Sequence, residues 1–195
     1  VVGLWKQRLT INGATATMLL ALAFGASAGG EFVREGARKP YTIREVLYSN
    51  AIGEDEVEHL REVGCSTRDP YPLREPYPTP QLTLGARTFR NQCGICHTMA
   101  GVNALEHLMG SWTIEQQRMN VAKLQWTKGF MPPFAGTAEE LEALVQLVRW
   151  EHAKRPPNFP ESHDPKVLAE IERWLEEAGP RPATEPRPLL ATEAR

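Results

Sequence analysis

The chain has 195 residues, 42% of them hydrophobic and 24% charged, and a formal net charge of −2. That length suits one ordinary domain plus extensions, and so even a charge balance excludes the polyelectrolyte signature of a nucleic-acid binder. Three cysteines, two of them in one motif, give no disulfide framework, and 16 unevenly spread prolines mark long stretches as linker.

Lys6 and Arg8 precede LTINGATATMLLALAFGASAGG, and the next charge is Glu31. These 22 uncharged residues would span about 33 Å as a helix, against a hydrocarbon core of ~30 Å. The stretch predicts a transmembrane helix whose Gly-, Ala-, Ser- and Thr-rich ends suit close packing in a membrane bundle. The rival reading is a secretory signal with Ala26-Ser27-Ala28 as its cleavage site. Both export whatever follows. Val1, in place of an initiating Met, leaves room for an upstream segment, and a retained helix is the reading adopted here.

Next, a charged stretch predicts a short helix from Glu54 to Val63, closed by Gly64. CSTRDPYPLREPYPTPQ follows, with five prolines from Pro70 to Pro80, and reads as an extended spacer lying on a surface. LTLGARTFRNQC is helical in pattern. Another helix starts at Thr113, which stands at capping-box spacing from Gln116, with Ile114, Met119, Val121 and Leu124 as apolar positions. GFMPPFAG must be a loop, because two prolines adjoin between glycines.

TAEELEALVQLVRWEH is a strong helix: Thr137 and Glu140 form a capping box, and Leu141, Leu144, Val145 and Val148 an apolar stripe. DPKVLAEIERWLEEAG is a last amphipathic helix, with Asp164 as N-cap, Pro165 in the first turn and Gly179 at the end. GPRPATEPRPLLATEAR reads as a flexible tail or a docking strap. With no repeat and no strand pattern, the fold class is all-α.

The chemistry concentrates in NQCGICHTMAG. Cys-x-x-Cys-His, here Cys93, Cys96 and His97, is the attachment signature of a c-type haem. Two thiols three residues apart add to the two vinyl groups of one porphyrin, and the adjoining imidazole falls under the iron. A structural zinc would need four ligands, and a redox dithiol a βαβ context; neither is present. One covalently bound haem c is the cofactor expected.

The flanking residues resemble a class I cytochrome c over about residues 81–153. Gly85 and Phe89 precede Cys93 at four-residue steps. The resemblance implies that this small and aromatic pair packs on the last helix of the domain, here ALVQLVRW, with Leu147 and Trp150 as partners. It also implies a distal methionine in the loop before that helix, which GFMPPFAGT matches at Met131. Independently, a thioether is a soft ligand suited to haem iron, and the adjoining prolines stiffen its loop.

The competing axial ligands are Met99, Met109, Met119 and His107. Met99 lies too near the attachment helix, Met109 and Met119 suit core filling, and His107 suits a surface. Only 34 positions separate His97 from Met131, which is short for the family and implies trimmed loops. Lys123 and Lys128 lie near the expected haem rim and read as ordinary solvated charge. Trp126 is open between a propionate hydrogen bond and a core position.

GEFVREGARKPYTIREVLYSNAI is also similar to a segment of the cytochrome bd oxidase superfamily large subunit. Glu35, Arg38 and Pro40 match its pattern, while Ala37, Lys39 and Tyr41 depart from it. That resemblance implies a neighbouring haem site, and it would account for Arg34, Arg38, Lys39 and Arg44 lying outside against the positive-inside tendency. Simple interfacial charges beside a lone anchor are the other reading. Cys65 is expected to be a free buried thiol, or else a bridge to a partner chain. His59, His152 and His163 read as surface residues.

The expected organisation is a cytoplasmic-side stub over 1–11 and a transmembrane helix with its interfacial end over 12–40. A periplasmic linker with a short helix and a Pro-rich spacer follows over 41–80. The monohaem cytochrome c domain spans 81–155, and a C-terminal helix and tail span 156–195. The expected protein is an all-α, single-pass subunit of the bacterial inner membrane with its haem domain on the periplasmic side. It would relay electrons between redox proteins inside a larger respiratory or photosynthetic complex, in contact with membrane lipid and other subunits. It would bind no nucleic acid and be no enzyme by itself. Two alternatives remain: the C-terminal cytochrome part of a bd-type-oxidase-like subunit, and a haem c enzyme or sensor with an open iron position.

Overall fold

The computed structural model describes residues 12–36, 46–69, 71–128 and 131–179. The chain divides into two compact units, Val1–Lys39 and Pro40–Arg195. The first contains helix α1, Gly13–Gly36. Its start is fixed locally: Thr15 N–H donates to Asn12 Oδ1 at 3.0 Å, and Asn12 N–H to Thr15 Oγ1 at 2.9 Å. Gly13–Glu31 is long and apolar enough to cross a membrane by length and composition. Met18, Leu19, Leu20, Leu22 and Phe24 are all exposed within this unit, an arrangement whose apolar surface favours a non-aqueous surrounding. The bd-like match falls largely outside the described residues, which leave out Arg38, Pro40 and the side chain of Glu35. The stub before residue 12 and the tail from residue 180 lie outside them as well.

The second unit is helical, and its described residues hold isolated bridges but no strand. Its helices are α2 (Glu56–Val63), α3 (Pro80–Gln92), α4 (Leu105–Met109), α5 (Ile114–Ala122), α6 (Leu124–Thr127), α7 (Ala138–His152) and α8 (Pro165–Ala178), with a 3-10 turn at Cys65–Arg68. Local chemistry sets most of the boundaries. Thr79 caps α3 through Leu82 N–H, and Pro80 sits at the first turn, where its missing donor costs nothing. Both expected capping boxes form, Thr113 with Gln116 and Thr137 with Glu140. Asp164 caps α8 at Lys166 N–H, and Gly179, at φ 59°, ends it in the left-handed region.

Helix α7 is the axis of the unit. Leu141, Ala143, Leu144, Val145, Leu147 and Val148 are all but fully buried, as expected of a helix covered on every side. Helix α3 crosses it at Gly85, where an added Cβ would stand 2.2 Å from the Ala143 carbonyl oxygen and 3.0 Å from Leu147 Cβ. Only glycine admits that approach. Leu82 and Ala86 then bury against Leu147 and Trp150, with Phe89 partly covered beside them. The expected pairing of Gly85 and Phe89 with Leu147 and Trp150 is thus present. On the other faces of α7, one core joins Leu105 and Met109 of α4, Val121 and Ala122 of α5, Phe134, and Ile171, Trp174 and Leu175 of α8.

The Pro-rich stretch lies on the surface of this crossing. Arg90 pairs with the buried Asp69 and donates to the carbonyls of Tyr71 and Pro72, while Arg87 donates to the Asp69 carbonyl. Leu73 and Tyr77 pack on the Trp150 cluster. Met109 is buried, as expected for a core methionine, whereas Met119 is 38% exposed because it faces away from the α5 stripe made by Gln117 and Val121.

Among buried polar groups, Glu142 is 1% exposed and accepts from Arg118 Nε and Nη2, each at 2.6 Å, and from Gln146 at 2.7 Å. Burial pushes its carboxyl up, but the hydrogen bonds from Arg118 and Gln146 and the Arg118 charge outweigh it, holding the group below the ordinary carboxylate range. A depressed folded pKa contributes stability that is present above the unfolded value of about 4.3 and lost as pH falls through the folded one.

Two outcomes are expected. Gly85→Ala should destabilise the unit by about 1–3 kcal/mol through overpacking, read as a lower urea midpoint. Glu142→Gln should flatten the fall in urea midpoint between pH 5 and pH 3, roughly the window of carboxylate protonation, relative to wild type.

Candidate functional site

Helix α3 delivers the motif. Its C-cap is Cys93, whose N–H still bonds the Phe89 carbonyl at 2.9 Å. The Cys93 carbonyl then accepts from both Cys96 N–H at 3.0 Å and His97 N–H at 2.8 Å. One tight turn therefore brings Cys93, Cys96 and His97 together at the end of a helix anchored by Gly85. Burial pushes the free Cys93 thiol up to about 12 and raises Cys96 as well. Ile95 and Val102, in and just after this turn, are exposed apolar side chains.

A residue that the sequence reading passed over completes the turn. Asn103 adopts φ 57°, in the left-handed region that asparagine tolerates better than most side chains. Its carbonyl stands 3.1 Å from His97 Nδ1, and its Nδ2 donates to the Cys96 carbonyl at 2.8 Å. A carbonyl only accepts, so the His97 proton sits on Nδ1 and the Nε2 lone pair is left as a donor. Among the described residues no hydrogen bond engages Nε2. The donor set therefore fits a haem c: two thiols at attachment spacing on one turn, and an imidazole with its outer nitrogen oriented by a backbone carbonyl. Among the described residues no group of three or more His, Cys, Asp or Glu side chains could hold a bare metal ion.

Met131 lies in the stretch between α6 and α7, half-buried, with its N–H on the Lys128 carbonyl at 2.8 Å. Gly129 and Phe130, which open the expected loop, are outside the described residues. The loop is tied to the motif by Gln92, the residue before Cys93. Gln92 Nε2 donates to the Ala135 carbonyl at 2.6 Å. Of the competing ligands, Met99 is partly buried against the main core, Met109 is buried and His107 is exposed.

Trp126 is exposed and donates its indole N–H to the Ala178 carbonyl at 2.9 Å, so it occupies neither expected role and instead covers the end of α8. Lys123 pairs with Glu177 at 2.6 Å. Cys65 is a fully buried free thiol, pushed up by burial and by the nearby Glu140 carboxylate. His59, His152 and His163 are exposed.

Asn103→Gly should keep the backbone and lose only the bond to Cys96, whereas Asn103→Val should lose both. The valine variant should therefore melt lower than the glycine variant, by about 1–3 kcal/mol of left-handed strain.

A search of curated proteins and one of solved structures each gave no match. Residues 80–148 match the family model described as cytochrome c oxidase, cbb3-type, subunit III. That segment contains Gly85, the Cys93–His97 turn, Met131 and most of α7; it is similar to a cbb3-type cytochrome c domain, and in sequence it follows an apolar N-terminal helix.

Proposed function

We propose that the chain is a membrane-anchored monohaem cytochrome c subunit that relays single electrons within a larger respiratory or photosynthetic membrane complex. The observation that carries this reading is the Cys93–His97 turn, with Nδ1 of His97 directed at the Asn103 carbonyl. The match of residues 80–148 to an oxidase-subunit family supports the setting in a membrane complex. A haem c, when bound, would supply a metal that exchanges one electron at a time.

The chain's own part is to hold and tune. Cys93 and Cys96 would fix the group covalently, so that it survives unfolding. His97 would bind through Nε2, its ring orientation and basicity set by the bond from Nδ1 to Asn103. Met131 would take the opposite position, where a thioether paired with an imidazole raises the reduction potential. Were His97 and Met131 both to hold the metal, they would leave no position open to a substrate. This is the sense in which the subunit carries electrons without being an enzyme by itself.

Helix α1 would anchor the subunit in a bacterial inner membrane by a single pass, with the haem domain on the periplasmic side, against lipid and neighbouring subunits. Its length and apolar composition support this. The electron donor and acceptor would be redox proteins docked at this domain.

In protein made with the haem-attachment machinery, wild type should keep its haem through a denaturing gel, and Cys93→Ala with Cys96→Ala should lose it entirely. Met131→Ala should abolish the far-red band of thioether-bound ferric haem and lower the reduction potential. A wild-type ferric spectrum without that band would overturn the electron-carrier reading in favour of an open iron position.

A further inference from the structure

The segment between α1 and the cytochrome domain holds the Met131 loop. Residues 46–69 belong to the second unit and pack on its cytochrome-like part. Tyr48, Ile52, Val57 and Leu60 form one buried cluster, and its fifth member is Ala135, four residues after Met131. Arg61, at the end of α2, donates through Nε to the Phe134 carbonyl at 3.1 Å. Its other nitrogens reach the carbonyls of Leu175 at 3.1 Å and Gly179 at 3.4 Å, so the guanidinium is itself fixed.

From the opposite direction Gln92 takes the Ala135 carbonyl at 2.6 Å and faces the Ala135 N–H with its oxygen at 3.4 Å. That same oxygen lies 3.4 Å from Asn50 Nδ2, which links the docked segment to the end of α3. Two consecutive loop residues, Phe134 and Ala135, are therefore held by side chains from α2, α3 and the turn at residue 50. Between them and Met131 stand only Pro132 and Pro133, whose fixed φ passes the restraint along the chain.

Resting on the reading of Met131 as the distal ligand, we infer that Arg61, Asn50 and Gln92 are positioning residues that keep the Met131 loop closed. They act on the ligand through Phe134 and Ala135 and touch no reacting atom. The loop exchanges between a closed form, with the thioether in place, and an open form that admits an outside ligand. The docked segment lowers the open population. An outside ligand then binds with an affinity reduced by the fraction of time the loop is open.

The test uses the full-length ferric holoprotein and imidazole as the probe, with loss of the far-red band as the signal. Arg61→Ala and Asn50→Ala should each bind imidazole more tightly, about fivefold for each hydrogen bond lost. Arg61→Lys, which keeps a cationic donor, should fall between Arg61→Ala and wild type. Gln92→Ala should also speed amide exchange at Ala135, a readout that does not depend on the metal. Glu142→Gln serves as control: it destabilises the domain without touching the loop, and should leave imidazole affinity at the wild-type value. Wild-type affinity in Arg61→Ala and Asn50→Ala, with Ala135 exchange unchanged in Gln92→Ala, overturns the inference while leaving Met131 as ligand. Absence of the band in wild type overturns the Met131 reading, and this inference with it.

Discussion

The domain depends on the contact between α3 and α7 at Gly85. A Cβ at that position would stand 2.2 Å from the Ala143 carbonyl oxygen, so the backbones approach more closely than any side chain would allow. Everything chemical hangs from the far end of α3. Cys93 is its C-cap, and the turn to His97 is the direct continuation of its hydrogen-bond ladder. The helix direction, set at Gly85 by a contact with no side-chain freedom, therefore aims the attachment turn. Helix α7, the partner in that crossing, begins just after the Met131 loop. One crossing thus orients both halves of the candidate site, which are 34 positions apart in sequence.

Much of this was legible in the sequence, and the reason is locality. The capping boxes at Thr113 and Thr137, the Asp164–Pro165 start and the Gly179 stop all rest on partners within a turn. Cys93, Cys96 and His97 are likewise read from spacing alone. Gly85 and Leu147 needed the family resemblance, because nothing local says which glycine meets which helix. Met119 misled, since a methionine at helical spacing looks the same in a core as on its edge.

The interactions the sequence reading missed are those between distant residues. Glu140 was recognised as a capping residue, yet its carboxylate also accepts the backbone N–H groups of Cys65 and Ser66, each at 2.8 Å. Gln92 falls on the buried stripe of Gly85 and Phe89, a position where a polar side chain demands a partner; that was the available signal. The partner itself, Ala135, lies 43 residues away, beyond any periodicity argument. Helix α4 was missed because its five residues are too few to show a period. Asn103 gave a faint cue, an asparagine two residues after a glycine, which becomes meaningful only once its carbonyl is seen beneath His97.

The burial of Cys65 carries a consequence for how the chain matures. Its thiol is buried in the folded unit, where Glu140, 75 residues along the chain, accepts its backbone N–H. In the unfolded chain all three thiols are exposed together, and under oxidising conditions Cys65 would compete for the sulfurs that a haem c needs. Burial of the segment around residue 65 thus sets Cys65 apart from the two cysteines of the attachment turn in the folded unit. In the fold only Cys93 and Cys96 would then be left within reach of a porphyrin.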